Sequence, residues 1–237
     1  MSSPGPARQT QSDRMTNENE YKRVWDGLSE DFNKAAFHVC CIMDEQEIQQ
    51  NGRLTAEFLK RALEIAPTHK VLEVGCGIGR VGRELAQYCG EWHGADISQN
   101  MICHARKRMA GLGNIVLHEL PTNDLAMFRD QSFDAVYATI VFMHLDKLDM
   151  FRYICEAYRV LRSTGVAYFD TYNILAPGAW QEFLKILTSF PPGRQPGHVS
   201  QFSTPQEMHK FVSEAGFANI QICDSNPQLV TVRCERP

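Results

Sequence analysis

The sequence predicts an α/β fold, an open and mostly parallel sheet with helices on both faces. Three observations predict it. Short strand-like runs alternate with helix-patterned stretches from residue 71 to residue 169, the arrangement that strings a parallel sheet. The first run, Val71-Leu72-Glu73-Val74, breaks directly into three alternating glycines, Gly75, Gly77 and Gly79. An acidic residue, Asp96, closes the next apolar run. Glycines let the backbone turn tightly at the carboxyl edge of a sheet, which is where open α/β sheets take their ligands.

Taken in order, residues 1–19 are rich in Ser, Pro, Gln and Asn and read as a disordered tail. From Tyr21 to Met43, the residues Tyr21, Val24, Trp25, Leu28, Phe32 and Ala36 recur at helical spacing. Gly52 interrupts, and Phe58, Leu59, Ala62 and Leu63 mark a second helix that ends at Pro67. The body then reads strand 71–74, helix 79–88, strand 92–95, helix 98–111, strand 115–118, strand 133–138, helix 147–162 and strand 165–169. Ser98 caps one of these helices, and Met150, Ile154, Ala157 and Leu161 form the buried stripe of another.

Residues 172–203 carry Trp180, Phe183, Phe190 and Phe202 among Pro191-Pro192-Gly193 and Pro196-Gly197, an irregular stretch. It is a lid or binding loop, or equally a short helix around Trp180 and Phe183 that covers the core. Thr204-Pro205-Gln206-Glu207 is a capping box with proline at the first helical position, and Gly216 stops that helix. A hairpin closes the chain, 218–223 and 229–234, across Asp224-Ser225-Asn226-Pro227. The expected division is one domain over 20–237: a helical cap 20–67, a core 68–170, an insertion 171–203 and a final helix and hairpin 204–237.

Bulk properties narrow the function. Hydrophobic content of 43% and charged content of 22% suit a globular chain. A net charge of −4 gives no footprint for nucleic acid, and Arg106-Lys107-Arg108 reads as a solvated helix face. The longest apolar run, 135–145, is far short of the ~20 residues of a membrane span. The N-terminus lacks the apolar centre of a secretory signal. Eight cysteines without a C-x-x-C pair read as reduced thiols of a cytoplasmic protein. No histidine has metal-ligand spacing, so no metal is expected, and the oligomeric state is not written in the sequence.

The chemistry sits at the glycine turn. A G-x-G-x-x-G match at Gly77, Gly79 and Gly82 suggests a dinucleotide site, but it starts two residues late because Gly75 already ends the strand. Glu73 would repel a pyrophosphate and suits an ammonium group. Arg80 can fork onto a carboxylate. Asp96 can accept hydrogen bonds from a ribose diol. An amino acid joined to adenosine has all three groups, and S-adenosylmethionine (SAM) is that molecule.

"VLEVGCGIGR" (71–80), "GADISQNM" (94–101), "SFDAVYATIVFMHL" (132–145), "EAYRVLRSTG" (156–165) and "AGFANI" (215–220) resemble the class I SAM-dependent methyltransferases, especially their small-molecule branch. The resemblance covers roughly 20–235. It departs at Ser163-Thr164-Gly165, where relatives carry Pro-Gly-Gly. It implies a Rossmann-like, seven-stranded, mostly parallel sheet with an antiparallel last strand. It also implies a cofactor site of Glu73, Gly75, Cys76, Gly77, Gly79, Arg80, Asp96, Ile97 and Met101. Asn123, Asp124 and Leu125 would hold the adenine edge, and Thr139 and Ile140 would flank the sulfonium.

His144, after strand four, is the candidate base for a hydroxyl acceptor, since imidazole titrates near neutrality. Asp170, ending strand five, is the candidate to orient it. Packing over the cofactor is the alternative for His144, and a local hydrogen bond that for Asp170. Trp25, Phe142 and Trp180 are candidates to touch the acceptor. The expected activity is O-methylation of a small molecule. Methylation of an amine or a protein N-terminus, and NAD(P)-dependent oxidoreduction, are the alternatives.

Overall fold

The computed structural model describes residues 11–191, 199–223 and 226–237. Among these residues eight strands form: β1 (Lys70–Val74), β2 (Glu91–Asp96), β3 (Ile115–Glu119), β4 (Phe133–Ala138), β5 (Leu161–Asn173), β6 (Phe202–Ser203), β7 (Ala218–Cys223) and β8 (Leu229–Glu235). Eight α-helices accompany them: α1 (Gln11–Leu28), α2 (Phe32–Cys40), α3 (Glu45–Ala62), α4 (Gly82–Leu85), α5 (Gln99–Arg108), α6 (Lys147–Val160), α7 (Pro177–Ser189) and α8 (Pro205–Glu214). The sheet runs β3-β2-β1-β4-β5-β8-β7, with the short β6 beside the end of β5. β8 is antiparallel to both neighbours, and the pairs from β3 through β5 are parallel. The expected sheet is therefore present, with β6 as an addition.

Alternation along β1 sorts the core. Leu72 and Val74 join the cluster with Val136, Ile154 and Phe169 on one face. Val71 joins Trp92, Leu85, Leu59 and Tyr137 on the other. A third cluster, Ala35, Ala36, Ile48, Ile78 and Met101, seats α2 and α3 on the turn after β1 and on α5. Among the described residues no helix is long and apolar enough to cross a membrane.

Several boundaries differ from the sequence reading. α1 begins at Gln11, so only residues 1–10 of the expected tail lie outside the described residues. The helix expected over 21–43 is two helices, because Asp31 caps a new one by accepting the amide of Lys34. Gly52 does not interrupt anything. It lies inside α3, where an added Cβ would stand 2.3 Å from the carbonyl oxygen of Arg80. α3 ends at Ala62, before Pro67. The helix after the glycines is short and starts at Gly82. β5 is longer than expected because it pairs with β8 from Val166 to Tyr172 and with β6 at its end. The irregular stretch after it contains a regular helix, α7; Pro192, Gly193, Pro196, Gly197 and His198 lie outside the described residues, as do Asp224 and Ser225 of the closing turn. The caps at Ser98 and Thr204 form as read.

α4 lies directly on β2. A Cβ on Gly82 would stand 2.0 Å from Cζ2 of Trp92, itself fully buried. Gly82→Ala should therefore lower stability by about 1–3 kcal/mol, read from urea unfolding.

Candidate active site

The turn after β1 uses its glycines for different ends. Gly75, Gly77 and Gly79 all have left-handed φ, at 69°, 52° and 72°. β2 holds the turn: the amides of Gly75 and Cys76 donate to Ala95 O at 2.8 and 3.0 Å. The Gly77 amide donates to Asp96 Oδ2 at 2.8 Å, and the Ser98 amide to Asp96 Oδ1 at 2.9 Å. Burial pushes the Asp96 carboxyl up to about 6, against the pull of those two amides. A Cβ on Gly75 would meet Val141, and one on Gly77 would meet Val39, so both leave room above the turn. Gly79 instead packs on Ala105 of α5 and on Met109 just past its end.

A pocket opens over the turn. Val74, Gly75, Gly77, Asp96, Ile97 and Met101 line it from β1, the turn, the end of β2 and the start of α5, with Leu120 and Asn123 from the loop after β3. Thr139, Ile140 and His144 line it from the segment after β4, and Tyr21 and Trp25 from α1. α1 is tied across this edge by polar bonds. Lys22 Nζ donates to Ile97 O at 3.0 Å and to Glu119 Oε1 at 2.6 Å. Ser98 Oγ donates to Asp26 Oδ1 at 2.8 Å, and the Asp146 amide donates to Tyr21 at 3.1 Å.

Other predicted residues fall outside the pocket. Glu73 points into the β1–β4 face and accepts the Tyr137 hydroxyl at 2.6 Å, while Trp92 Nε1 donates to that hydroxyl at 3.1 Å. Cys76 is buried in the same face, so it contributes backbone to the turn and its sulfur to packing. Asp124 accepts the Ala126 amide in its own turn, and Leu125 is buried in the core. Of that predicted trio only Asn123 lines the pocket, and Leu120, unnoticed in the sequence, joins it. Phe142 is buried and stacked on Phe169, with ring centroids 5.1 Å apart. Trp180 lies on the outer side of α7, stacked on Phe183, while Glu182 and Ile186 face the cavity beneath.

Residues 71–165 match the family described as a methyltransferase domain. Methyltransferase GfsG of Streptomyces halstedii is 33% identical over 190 residues, covering 76% of this chain and 64% of that protein. Phosphoethanolamine N-methyltransferase 1 of Zea mays is 35% identical over 180 residues, covering 75% of this chain and 34% of that protein. The chain thus spans less than two thirds of these relatives' length. Magnesium protoporphyrin IX methyltransferase of Synechocystis PCC 6803, solved with bound SAH, shares the fold with a TM-score of 0.61 at 17% identity, over 94% of this chain and 96% of that one.

These matches support a class I SAM-dependent methyltransferase domain. SAM is the cofactor of such a domain, which sets the offset dinucleotide reading aside. The residues present fit it: a buried ribose-type carboxylate at Asp96, glycines whose Cβ atoms would narrow the cleft, and a buried arginine nearby. Among the described residues no cluster of three or more His, Cys, Asp or Glu could hold a metal.

Two further cavities meet this methyltransferase pocket. One, toward β5 and β8, is lined by Asn51, Thr55, Arg80, Tyr168, Asp170 and Thr231. The other, beneath α7, is lined by Phe37, Cys41, Met143, His144, Ile186 and Phe190. Ile140 borders all three. Its φ of 60° is strained for a β-branched residue, at a cost of about 1–3 kcal/mol. Asp170 holds it there, with Oδ1 accepting the Ile140 amide at 2.6 Å. Burial raises the Asp170 carboxyl to about 7. Asp170 thus makes the local hydrogen bond given as its alternative, and it lines the cavity on the β8 side while His144 lines the one under α7. The His144 ring sits edge-on to Trp25, with centroids 5.0 Å apart.

Burial raises the Glu73 carboxyl to about 8, and the Tyr137 hydroxyl only partly offsets this. Above its ordinary pKa near 4.5 the unfolded chain ionises Glu73 while the folded chain keeps the proton up to about 8. Stability from this group therefore falls as pH rises across that window. Urea unfolding at stepped pH should show wild type losing stability relative to Glu73→Gln between these values; parallel pH curves would mean that Glu73 is ionised in the fold.

Proposed function

We propose that this chain transfers the methyl group of SAM to a hydroxyl of a small molecule, with His144 taking the acceptor's proton. One observation carries the reading: His144 lines both the pocket containing Asp96 and the apolar cavity beneath α7. It therefore borders the place where donor and acceptor would meet. SAM, when bound, supplies a methyl on a sulfonium, an electrophile with a neutral leaving group.

The chain's own residues do the rest. Asp96 accepts the ribose hydroxyls, exchanging the Gly77 amide it now holds for part of that role. Ile97, Met101, Leu120 and Asn123 enclose the adenine. Thr139 and Ile140 line the same pocket, and Asp170 keeps Ile140 in its strained conformation. His144 would take the hydroxyl proton as that oxygen gains the methyl group. Trp25 packs edge-on against the His144 imidazole and Tyr21 lines the same pocket, so α1 excludes water from the reacting groups. Positioning and a base together supply the acceleration.

The cavity beneath α7 suits a small acceptor with an apolar body, resting on Phe37, Ile186 and Phe190. A net charge of −4 supports neither nucleic acid nor an acidic membrane surface as partner. A cytoplasmic setting belongs to the same reading, supported by cysteines that are all free among the described residues. A second reading, transfer to an amine, is favoured by relatives named phosphoethanolamine N-methyltransferases. An amine needs desolvation more than a base, and His144 would then position it.

Labelled SAM incubated with host extract identifies the acceptor atom in the product. With that acceptor, His144→Gln should lower kcat by about 10²–10⁴-fold and remove the rising limb of the pH–rate profile, leaving SAM affinity unchanged. Undiminished turnover, or label on nitrogen, would replace the hydroxyl reading.

A further inference from the structure

We infer that Asn51 and Thr55 of α3 form, with Arg80, a clamp for the carboxylate at the aminoacyl end of the cofactor. This deepens the SAM reading above by adding α3, which carries none of the recognised motifs, to the cofactor site.

The observation is an arginine held without an acid. Arg80 is 6% exposed, at the entrance to α4. A buried guanidinium ordinarily sits against a carboxylate, because an uncompensated buried charge is costly. Here no ion pair joins it among the described residues. Nη1 donates to two neutral groups instead, Asn51 Oδ1 and Thr55 Oγ1, the latter at 3.2 Å. Nε is buried and makes no hydrogen bond. The charge of Arg80 reaches two buried carboxyls, Glu73 and Asp170, but neither forms an ion pair with it, and each is hydrogen-bonded elsewhere, to Tyr137 and to the Ile140 amide. Neutral partners fix the direction of the fork without cancelling its charge, which leaves it ready for an anion.

α3 is moulded to this arginine. Asn51 and Thr55 stand one helical turn apart, and Gly52 lies between them where a Cβ would strike the Arg80 carbonyl. Glycine inside a helix is unfavourable, so its presence there reflects the close approach. The clamp is also in the right place. Thr139 and Ile140 border both the pocket of Asp96 and the cavity containing Asn51, Thr55 and Arg80. A nucleoside seated on Asp96, with its tail running past Gly75 toward Thr139, brings its acidic end next to Arg80.

Calorimetry on the full chain tests this with two ligands, S-adenosylhomocysteine and 5′-methylthioadenosine, which keeps the nucleoside and thioether but lacks the carboxylate. Arg80→Met should weaken S-adenosylhomocysteine by about 10–100-fold and leave methylthioadenosine unchanged. Asn51→Asp, nearly the same shape, would supply the missing acid. It should raise the thermal midpoint while weakening S-adenosylhomocysteine selectively, which a merely structural Asn51 would not do. Equal weakening of both ligands, or of neither, overturns the clamp. Failure of the wild type to bind either ligand would instead sink the cofactor reading itself.

Discussion

The hold of β2 on the turn after β1 is the constraint from which the rest of the site follows. Two amides of the turn share Ala95 O and a third reaches Asp96, so the left-handed path through Gly75 and Gly77 is fixed by a neighbouring strand. Parallel register between β1 and β2, Val74 beside Ala95, makes that possible. Once the turn is set, Asp96 lines the cleft with one oxygen on the Gly77 amide of the turn and the other on the Ser98 amide at the start of α5. The same register sends α5 back over the sheet and places Ile97 and Met101 in the pocket wall. Any side chain at Gly75 would need a left-handed backbone and would drive into Val141.

Buried polar groups around this turn are paired in ways that separate structure from chemistry. Trp92, Tyr137 and Glu73 form a chain of hydrogen bonds behind the sheet, which satisfies an acid that is otherwise expensive to bury. Asp170 does similar work between β5 and the end of β4, stabilising a conformation that Ile140 would not adopt alone. Burial lifts both well above the carboxylate range, and the charge of Arg80 only partly offsets it. Strain at Ile140 is placed where three cavities converge, and strain of this kind persists only when its surroundings over-determine it.

The sheet was legible in the sequence because strand alternation, capping residues and the glycine turn are local signals. Ser98, Thr204 and Gly216 act where their chemistry says they should. Pocket-lining residues were legible for the same reason: Asp96, Ile97 and Met101 follow one strand end by fixed steps. What the sequence hid were tertiary choices. Glu73 alternates with Leu72 and Val74, so strand period alone turns it toward Tyr137, away from the cleft. Leu125 and Phe142 are apolar residues beside a ligand edge, and only packing shows that the core takes them. Gly52 looked like a break because its partner, the Arg80 carbonyl, is distant in sequence. Thr164 adopts a φ of 65°, a left-handed conformation that glycine would take without strain and that nothing local in the sequence announces.

The two halves of the site are built by different rules, and this explains why one is recognisable and the other is not. The nucleoside half depends on backbone geometry at a strand end, which tolerates few sequences. The acceptor half is walled by α2, by α7 and by the 3-10 turn Phe142–His144, with Asn51 and Arg80 reaching it from the cofactor side, and its mixed lining of apolar and polar side chains follows no fixed motif. His144 lies on the boundary, fixed by that turn and packed edge-on against Trp25, a residue from the first helix of the chain. α1 in turn is fastened by Lys22, Asp26 and Tyr21 to β2, α5 and the start of α6. The covering of the reacting groups is therefore tied to the same strand end that sets the turn, so that nucleoside contact and exclusion of water at His144 rest on one set of hydrogen bonds.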